Sequence, residues 1–185
     1  MAAADVPGTG AGPVTWVTRP EGPGDAAAVR AVVAAAFPTE QEARLVDALR
    51  RDPAWVPGLA AVAETPGGVV AGYALLTRCR VGGAAALALA PVAVLPARQR
   101  RGAGGAAVRA ALAAAAARAA GGRGERLVVV LGHPGYYPRF GFAPASSLGV
   151  AAPFEVPDEA LMALVLDGPG PVPSGTIAYP APFGV

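Results

Sequence analysis

A segment rich in arginine and glycine near the middle of the chain has the residue types that bind phosphate. Residues 98–105 read Arg-Gln-Arg-Arg-Gly-Ala-Gly-Gly and follow Leu87 to Val94, an apolar run typical of a buried strand. The alanine-rich residues that come next, up to Gly121, predict a long helix. The first turn of a helix has unpaired backbone N–H groups and partial positive charge, and glycine lets a phosphate approach the backbone closely. The segment therefore predicts an anion site between a strand and a helix.

The same glycines allow three other interpretations: a dinucleotide-binding loop, a nucleoside-triphosphate-binding loop and a turn that binds nothing. Residues 102–107 fit the loose dinucleotide pattern G-x-G-x-x-A, but they follow several predicted strands. The acid about 20 residues further on, Glu125, precedes its strand, whereas a ribose-binding acid follows one. The Lys-Ser/Thr ending of a nucleoside-triphosphate loop is missing. The third interpretation is a turn that binds nothing, because 25 of the 185 residues are glycine. Glycine alone does not decide between a ligand site and a turn.

Composition and charge limit the classes of protein to which the chain can belong. A chain of 185 residues fits one domain with a substantial core. The net charge of +2 is too small to indicate a nucleic-acid-binding protein. The single cysteine, Cys79, excludes an intrachain disulfide, and together with one histidine it cannot build a metal site.

The ends and the apolar runs of the chain predict a cytoplasmic protein. The N-terminus lacks the basic start and the apolar stretch of a secretory signal. Proline or arginine interrupts each apolar run before it is long enough to span a bilayer, so we expect no membrane partner. We expect a flexible tail over residues 1–13 and a single domain over residues 14–185.

The spacing of apolar residues predicts a mixed α/β sheet with helices on its faces. Val14 to Thr18 reads as a first strand, Asp25 is expected to cap a helix that ends near Phe37, and Thr39 to Glu42 forms a capping box for a second helix. Further strands are expected at residues 59–64, 69–77, 87–94, 127–131, 161–166 and 176–179. The strand, helix and strand between residues 87 and 131 imply a crossover with parallel pairing.

A second motif lies one predicted helix and one predicted strand after the glycine-rich segment, and the two motifs are informative together. Gln99 to Gly104 has the form Q/R-x-x-G-x-G/A, and the run Leu131 to Phe142 ends in Tyr-Pro-Arg-Phe-Gly-Phe. In this order the two motifs resemble the acetyl-CoA signature of the GNAT superfamily of N-acetyltransferases. The longer run is similar to the YhbS-like branch of predicted acetyltransferases, and Pro153 to Ala160 resembles the C-terminal part of that branch. The resemblance covers residues 14–183.

The resemblance implies the GNAT fold, in which a mixed central sheet splays between its fourth and fifth strands. It also implies acetyl-CoA as the co-substrate, with no metal. The edge of the fourth strand would pair with the pantetheine like an added strand, and the amides of the following turn would bind the pyrophosphate. Arg139 would reach a coenzyme A phosphate or lie in solvent. The implied coenzyme-binding residues are Val92, Ala93, Val94, Gln99, Arg100, Arg101, Gly102, Ala103, Gly104, Gly105 and Arg139.

The resemblance further implies an acid near the sulfur of coenzyme A, which leaves as a thiolate unless it is protonated. Tyr137 matches the family tyrosine that often supplies this proton. The alternative for Tyr137 is a packed aromatic side chain with its hydroxyl at the surface. We interpret the neighbouring Tyr136 as a wall residue.

The base that would accept the proton of the amine is less clearly marked. The strand Leu87 to Val94 has no carboxylate, although some members of the superfamily use one there. His133 follows the fifth predicted strand and is a candidate base, with a loop-stabilising contact as the alternative. A water relay to Glu64 or Glu42 is a further candidate.

We therefore expect an enzyme that moves an acetyl group from acetyl-CoA to a primary amine by direct attack in a ternary complex. The acceptor would be a small molecule or a peptide. The alternative is a non-catalytic GNAT-fold module that binds acyl-CoA as a sensor, since the strand carboxylate is missing. Nucleic-acid binding by the arginine-rich turn is a third hypothesis, which the small net charge disfavours. Related folds often dimerise, so a homodimer is left open.

Overall fold

The computed structural model of the protein describes residues 15–185, so Val14 and the predicted tail over residues 1–13 lie outside the described residues. Within them, three α-helices flank a sheet to which nine strands contribute. The helices are α1 (Ala26–Ala36), α2 (Gln41–Leu49) and α3 (Ala103–Ala120). The strands are β1 (Val17–Pro20), β2 (Trp55–Glu64), β3 (Val70–Val81), β4 (Ala84–Val94), β5 (Leu127–Leu131), β6 (Ala143–Pro144), β7 (Val150–Ala151), β8 (Leu161–Val165) and β9 (Gly175–Ala178).

The sheet changes from antiparallel to parallel pairing at its centre. Its strand order is β1-β2-β3-β4-β5-β8-β6, with β9 paired to the end of β3 and β7 paired to β9. In the described chain, β4 and β5 pair only at Leu87 with Val128 and at Ala88 with Val129. Because β4 then continues to Val94 without its neighbour, the two strands diverge. The predicted mixed sheet, its parallel pair and its splay are confirmed.

The helices bury their apolar sides against opposite faces of the sheet. Val29 and Val33 of α1 pack with Val46 and Leu49 of α2 over β2, β3 and β4. The other face is covered by α3, whose buried positions are mostly alanine, with Val108 among them. Alanine side chains are short, so the axis of α3 lies close to the sheet, and burial of its small apolar surface is spread over the whole helix.

A close approach to β3 fixes the start of α3. A Cβ atom at Gly72 would lie 3.0 Å from the carbonyl oxygen of Ala103, the first residue of α3. Glycine suits this position because a Cβ would press on the helix backbone and shift it by a few tenths of an ångström. Gly72 pairs with Val94, the last residue of β4. The contact therefore places the first turn of α3 beside the end of β4.

The two predicted helix caps are wrong, because their side chains have other partners. The hydroxyl of Thr39 accepts only the N–H of Gln41, at 3.3 Å, and α2 begins after Glu40 without a side-chain cap. The carboxylate of Asp25 accepts the N–H of Gly22 at 2.6 Å and pairs with the guanidinium of Arg19 at 2.5 Å. Hydrogen bonding to Arg19 lowers the pKa of Asp25 to about 2. Asp25 therefore occupies the N-cap position of α1, but its carboxylate bonds the preceding turn and a guanidinium six residues away instead of the helix N–H groups.

Strand boundaries differ from the predictions mainly at the start of β2, the end of β3 and the start of β4. Strand β2 begins at Trp55 and includes Pro57, whereas the predicted strand begins at Leu59. An irregular register between Trp55 and Ala60 accommodates the proline. The two-residue strands β6 and β7 were not predicted, because so short a run shows no alternation. In residues 15–185, no helix has the length and apolar character that crossing a membrane requires.

Candidate active site

A cleft of about 610 Å³ lies beside the diverging part of β4. It is bounded by β4, by the turn before α3, by the first turn of α3 and by the segment after β5. The lining residues are Ala36, Phe37, Val92, Val94, Gln99, Arg100, Gly102, Ala103, Gly104, Tyr136, Tyr137 and Arg139. Four of the predicted site residues, Ala93, Arg101, Gly105 and His133, do not line it.

The edge of β4 offers peptide groups to the cleft at two of the three predicted positions. The N–H of Leu95 donates to the carbonyl of Ala71 on β3 at 2.9 Å. In an antiparallel ladder successive residues alternate in direction, so the peptide groups of Val94 and Val92 point away from β3. Ala93 pairs with β3, and its buried side chain packs toward α1 and α2. Val92 and Val94 can therefore pair with an extended ligand, and Ala93 cannot.

The turn between β4 and α3 presents a row of unpartnered backbone donors. The first intrahelical bond of α3 runs from the N–H of Ala106 to the carbonyl of Gly102 at 2.9 Å. The backbone N–H groups of the six residues from Arg100 to Gly105 donate to no acceptor in the described part of the chain. Arg100 and Gly102 both have positive φ, 58° and 91°, which turns the chain sharply into the helix. Six unpartnered N–H donors at the positive end of a helix are an arrangement that can bind an anion.

Two side chains hold this turn in place. The indole N–H of Trp16 donates to the carbonyl of Arg101 at 2.7 Å, and the same ring lies 3.6 Å from the position that a Cβ of Gly102 would take. The side-chain amide of Gln99 reaches the carbonyl of Val94 at 3.4 Å. The carbonyl of Arg101 is thus satisfied from outside, while the N–H groups of the turn are left for a ligand.

Tyr137, in the segment after β5, is one of the residues that line the cleft. Its ring packs so closely on Gly132, at the end of β5, that a Cβ there would lie 2.3 Å from a ring carbon. Phe142 packs edge-on against the same ring, with the ring centres 5.9 Å apart. Burial, with a smaller contribution from Tyr136, raises the pKa of Tyr137 to about 12. The hydroxyl is therefore protonated at neutral pH and can donate a hydrogen bond or a proton into the cleft.

The comparison with known proteins assigns the chain to a family. The model of the Acetyltransferase (GNAT) family matches residues 27–142. The chain belongs to the GNAT family. It is 37% identical over 140 residues to the uncharacterized N-acetyltransferase YjhQ of Escherichia coli, an alignment that covers 73% of this chain and 74% of the relative.

Two solved structures of GNAT proteins are similar to this one. The N-acetyltransferase YhbS from Escherichia coli, in complex with CoA, matches with a TM-score of 0.81 and 26% identity over 93% of both chains. A GNAT acetyltransferase from Brucella melitensis, in complex with acetyl-CoA, matches with a TM-score of 0.70 and 35% identity over 91% of this chain and 98% of the other. The predicted family and fold are confirmed, and the protein is a GNAT N-acetyltransferase.

The candidate bases of this GNAT protein all lie outside the residues that line the cleft. His133 is exposed, and its Nδ1 accepts the N–H of Gly135 at 3.1 Å, which is the loop-stabilising contact considered as the alternative. Glu64 pairs with Arg19 at 2.5 Å. The Oε2 of Glu42 is buried without a hydrogen-bond partner among the described residues. The base role of His133 stays a prediction, with only its Nε2 left for it.

Other reactive groups of the acetyltransferase do not enter the cleft. Cys79 is buried elsewhere, and burial raises the pKa of its thiol to about 12, so it is not ionised at neutral pH. A thiol is nucleophilic only as the thiolate. In residues 15–185, no three His, Cys, Asp or Glu side chains come together in a group that could hold a metal ion.

Three aromatic residues of the site were not predicted to have the contacts that they make. Trp16 is separated from Arg101 by 85 positions, and no local pattern signals that distance. Phe37 was expected only to end α1, and it lines the cleft. Tyr136 was expected as a wall residue, and it is one, but its hydroxyl also reaches the first turn of α3. The sequence signal for a second hydroxyl in the cleft was the pair of adjacent tyrosines, Tyr136 and Tyr137, in the second motif.

Proposed function

We propose that the protein moves the acetyl group of acetyl-CoA to a primary amine by direct attack in a ternary complex. The row of N–H groups from Arg100 to Gly105 carries the proposal, because it borders a cleft that Tyr137 also lines. Similarity to GNAT proteins described in complex with CoA and with acetyl-CoA supports this choice of ligand. The absence of a carboxylate on β4 is compatible with this function, because an amine in its neutral form can attack the thioester without that carboxylate.

The proposed coenzyme site has two parts: the N–H groups of the turn before α3 and the peptide groups at the edge of β4. The diphosphate accepts hydrogen bonds from the turn, and the arginines that line the cleft, Arg100 and Arg139, add positive charge. The pantetheine lies along β4 and pairs with the peptide groups of Val92 and Val94, as an added strand would. The thioester then lies where β4 and β5 part, within reach of the Tyr137 wall.

The proposed reaction is nucleophilic substitution at the thioester carbonyl. The lone pair of the amine forms the new C–N bond, and the electrons of the C–S bond leave with sulfur. The hydroxyl of Tyr137, which is protonated at neutral pH, donates a hydrogen bond to the departing sulfur and gives it a proton, and the tyrosinate then takes back a proton from water. The amine gives up its proton to water or, as predicted, to the Nε2 of His133.

The acceptor is proposed only as a small-molecule or peptide amine. The described residues that line the cleft include Ala36 and Phe37 at the end of α1, so the acceptor would approach from the side of α1 and α2. The cytoplasmic location, the single domain over residues 14–185 and the homodimer stay predictions.

The test of this function is isothermal titration with acetyl-CoA, followed by a thiol-release assay with a panel of peptide, polyamine, aminoglycoside and small-metabolite amines. We expect binding, and release of coenzyme A with at least one amine. Absence of binding would refute the proposal. Tight binding without thiol release for any amine, unaltered by Tyr137→Phe, would favour the sensor alternative.

Removing the indole N–H of Trp16 is expected to loosen the phosphate-binding turn. Phenylalanine keeps an aromatic ring but cannot donate to the carbonyl of Arg101. We expect Trp16→Phe to weaken acetyl-CoA binding by about 5-fold, the effect of one lost hydrogen bond. The matched control is Trp55→Phe, whose ring lies near Arg50 and outside the cleft. Titration calorimetry on both variants measures the difference, and equal affinities would show that Trp16 does not position the turn.

A further inference from the structure

The hydroxyl of Tyr136 crosses the cleft to the first turn of α3. A Cβ at Gly104 would lie 3.2 Å from this hydroxyl oxygen and 2.9 Å from a methyl group of Val94. Tyr136 belongs to the segment after β5, so its side chain spans from one wall of the cleft to the other. The hydroxyl has no hydrogen-bond partner in residues 15–185, and it lies beside Gly104, whose N–H is one of the unpartnered groups of the turn. A phenol there can donate to whatever accepts from those amides.

The guanidinium of Arg109 lies near the first turn of α3, where the positive end of the helix repels its charge. Its guanidinium nitrogens lie 3.3 and 3.5 Å from the position of a Cβ at Gly105, so the side chain lies back along α3 toward the N-terminus. A cation near the positive end of a helix is destabilised. No carboxylate of the described chain lies within 4.0 Å of it, and its aromatic neighbour is the ring of Phe140, 5.7 Å from the guanidinium carbon. An anion bound at the turn would compensate the positive charges of Arg109 and of the helix end.

Arg139 fixes the ring that carries the Tyr136 hydroxyl. Its guanidinium carbon lies 4.7 Å from the centre of the Tyr136 ring, a distance typical of a cation–π contact. Phe140 packs edge-on against the same ring, with the centres 5.4 Å apart. Burial raises the pKa of Tyr136, while the charges of Arg139 and Arg109 lower it, so both guanidinium groups act on this hydroxyl. The ring is held on both sides, and its hydroxyl is directed at α3.

We infer that Tyr136 and Arg109 bind the diphosphate of the coenzyme and complete with side chains the site that the backbone amides begin. The inference rests on the proposed function. It divides two adjacent tyrosines between two tasks: the hydroxyl of Tyr136 binds the diphosphate, and the hydroxyl of Tyr137 acts on the sulfur. Removal of each hydroxyl therefore has a different signature, a loss of affinity for Tyr136 and a loss of kcat for Tyr137.

The inference is tested by titrating the wild-type protein and Tyr136→Phe with CoA, dephospho-CoA and pantetheine. CoA and dephospho-CoA share the diphosphate and differ in the 3′-phosphate, and pantetheine has neither. We expect Tyr136→Phe to weaken the binding of CoA and of dephospho-CoA equally, by about 10-fold, the size expected for a hydrogen bond to a charged group. Binding of pantetheine is expected not to weaken.

Arg109→Gln provides a second readout that a purely structural role would not change. We expect CoA affinity about 5-fold lower and a shallower dependence of that affinity on salt than in the wild type, because one ionic contact is lost. A wild type that binds no CoA would overturn the proposed function and this inference together. If the wild type binds CoA, then an unchanged or tightened affinity of Tyr136→Phe, a loss confined to CoA, or an unchanged salt dependence of Arg109→Gln would overturn the inference alone.

Discussion

Tyr137→Phe is expected to lower kcat for acetyl transfer by about 100-fold, within the range that a positioned general acid contributes. The variant keeps the ring that packs on Gly132 and Phe142 and removes only the hydroxyl. Affinity for acetyl-CoA should change little, because the hydroxyl acts on the leaving sulfur rather than on the bound ground state. Steady-state thiol release with the best amine of the panel, together with calorimetric affinity, measures both quantities.

The pH dependence of this effect follows from the raised pKa of Tyr137. A group with a pKa of about 12 loses its proton only as the pH rises through that value. The ratio of wild-type to Tyr137→Phe activity is therefore expected to stay constant between about pH 7 and pH 10. Tyr179→Phe is the matched control, since burial also raises the pKa of Tyr179 to about 12 and its ring lies outside the cleft. A kcat of Tyr137→Phe equal to that of the wild type would show that the Tyr137 hydroxyl takes no part in the reaction.

Gly104→Val is expected to weaken acetyl-CoA binding by about 100-fold or more, because the new side chain fills the space in which the diphosphate would lie. Its Cβ alone would lie 2.9 Å from a methyl group of Val94 and 3.2 Å from the Tyr136 hydroxyl. Both neighbours are side-chain ends that can move, so the fold is expected to survive while the cleft closes. Calorimetry measures the affinity, and thermal unfolding checks the fold.

Ala113→Val is the matched control for this substitution. It places the same β-branched side chain on α3, at an exposed position away from the cleft. We expect its acetyl-CoA affinity to equal that of the wild type. If Gly104→Val bound acetyl-CoA as tightly as Ala113→Val does, the diphosphate would not lie against the first turn of α3.

The features of the site that could be predicted from the sequence are those set by local chemistry. Gly102 and Gly104 marked the turn because a positive φ and a close approach are properties of glycine itself. The apolar runs that became β4 and β5 marked the central parallel pair, since fully buried strands lack alternation. Tyr137 was marked by the resemblance of the second motif to the GNAT family signature. Each signal lies within one segment of the chain.

The features that could not be predicted depend on distant partners. Trp16 holds the turn from 85 positions away, and Glu64, a candidate for the proton relay, pairs with Arg19 from 45 positions away. The alternation of β4 that excludes Ala93 depends on its register with β3, which the residues of β4 alone do not specify. Which of two adjacent tyrosines faces α3 is a matter of side-chain direction, and a sequence does not specify it.

The binding of the coenzyme diphosphate by backbone N–H groups is tested most directly by a two-dimensional amide NMR titration of the full chain with CoA. We predict that the largest downfield proton shifts fall on the six residues from Arg100 to Gly105, because each N–H gains a charged acceptor. CoA that binds while these six resonances stay in place would contradict the proposed site.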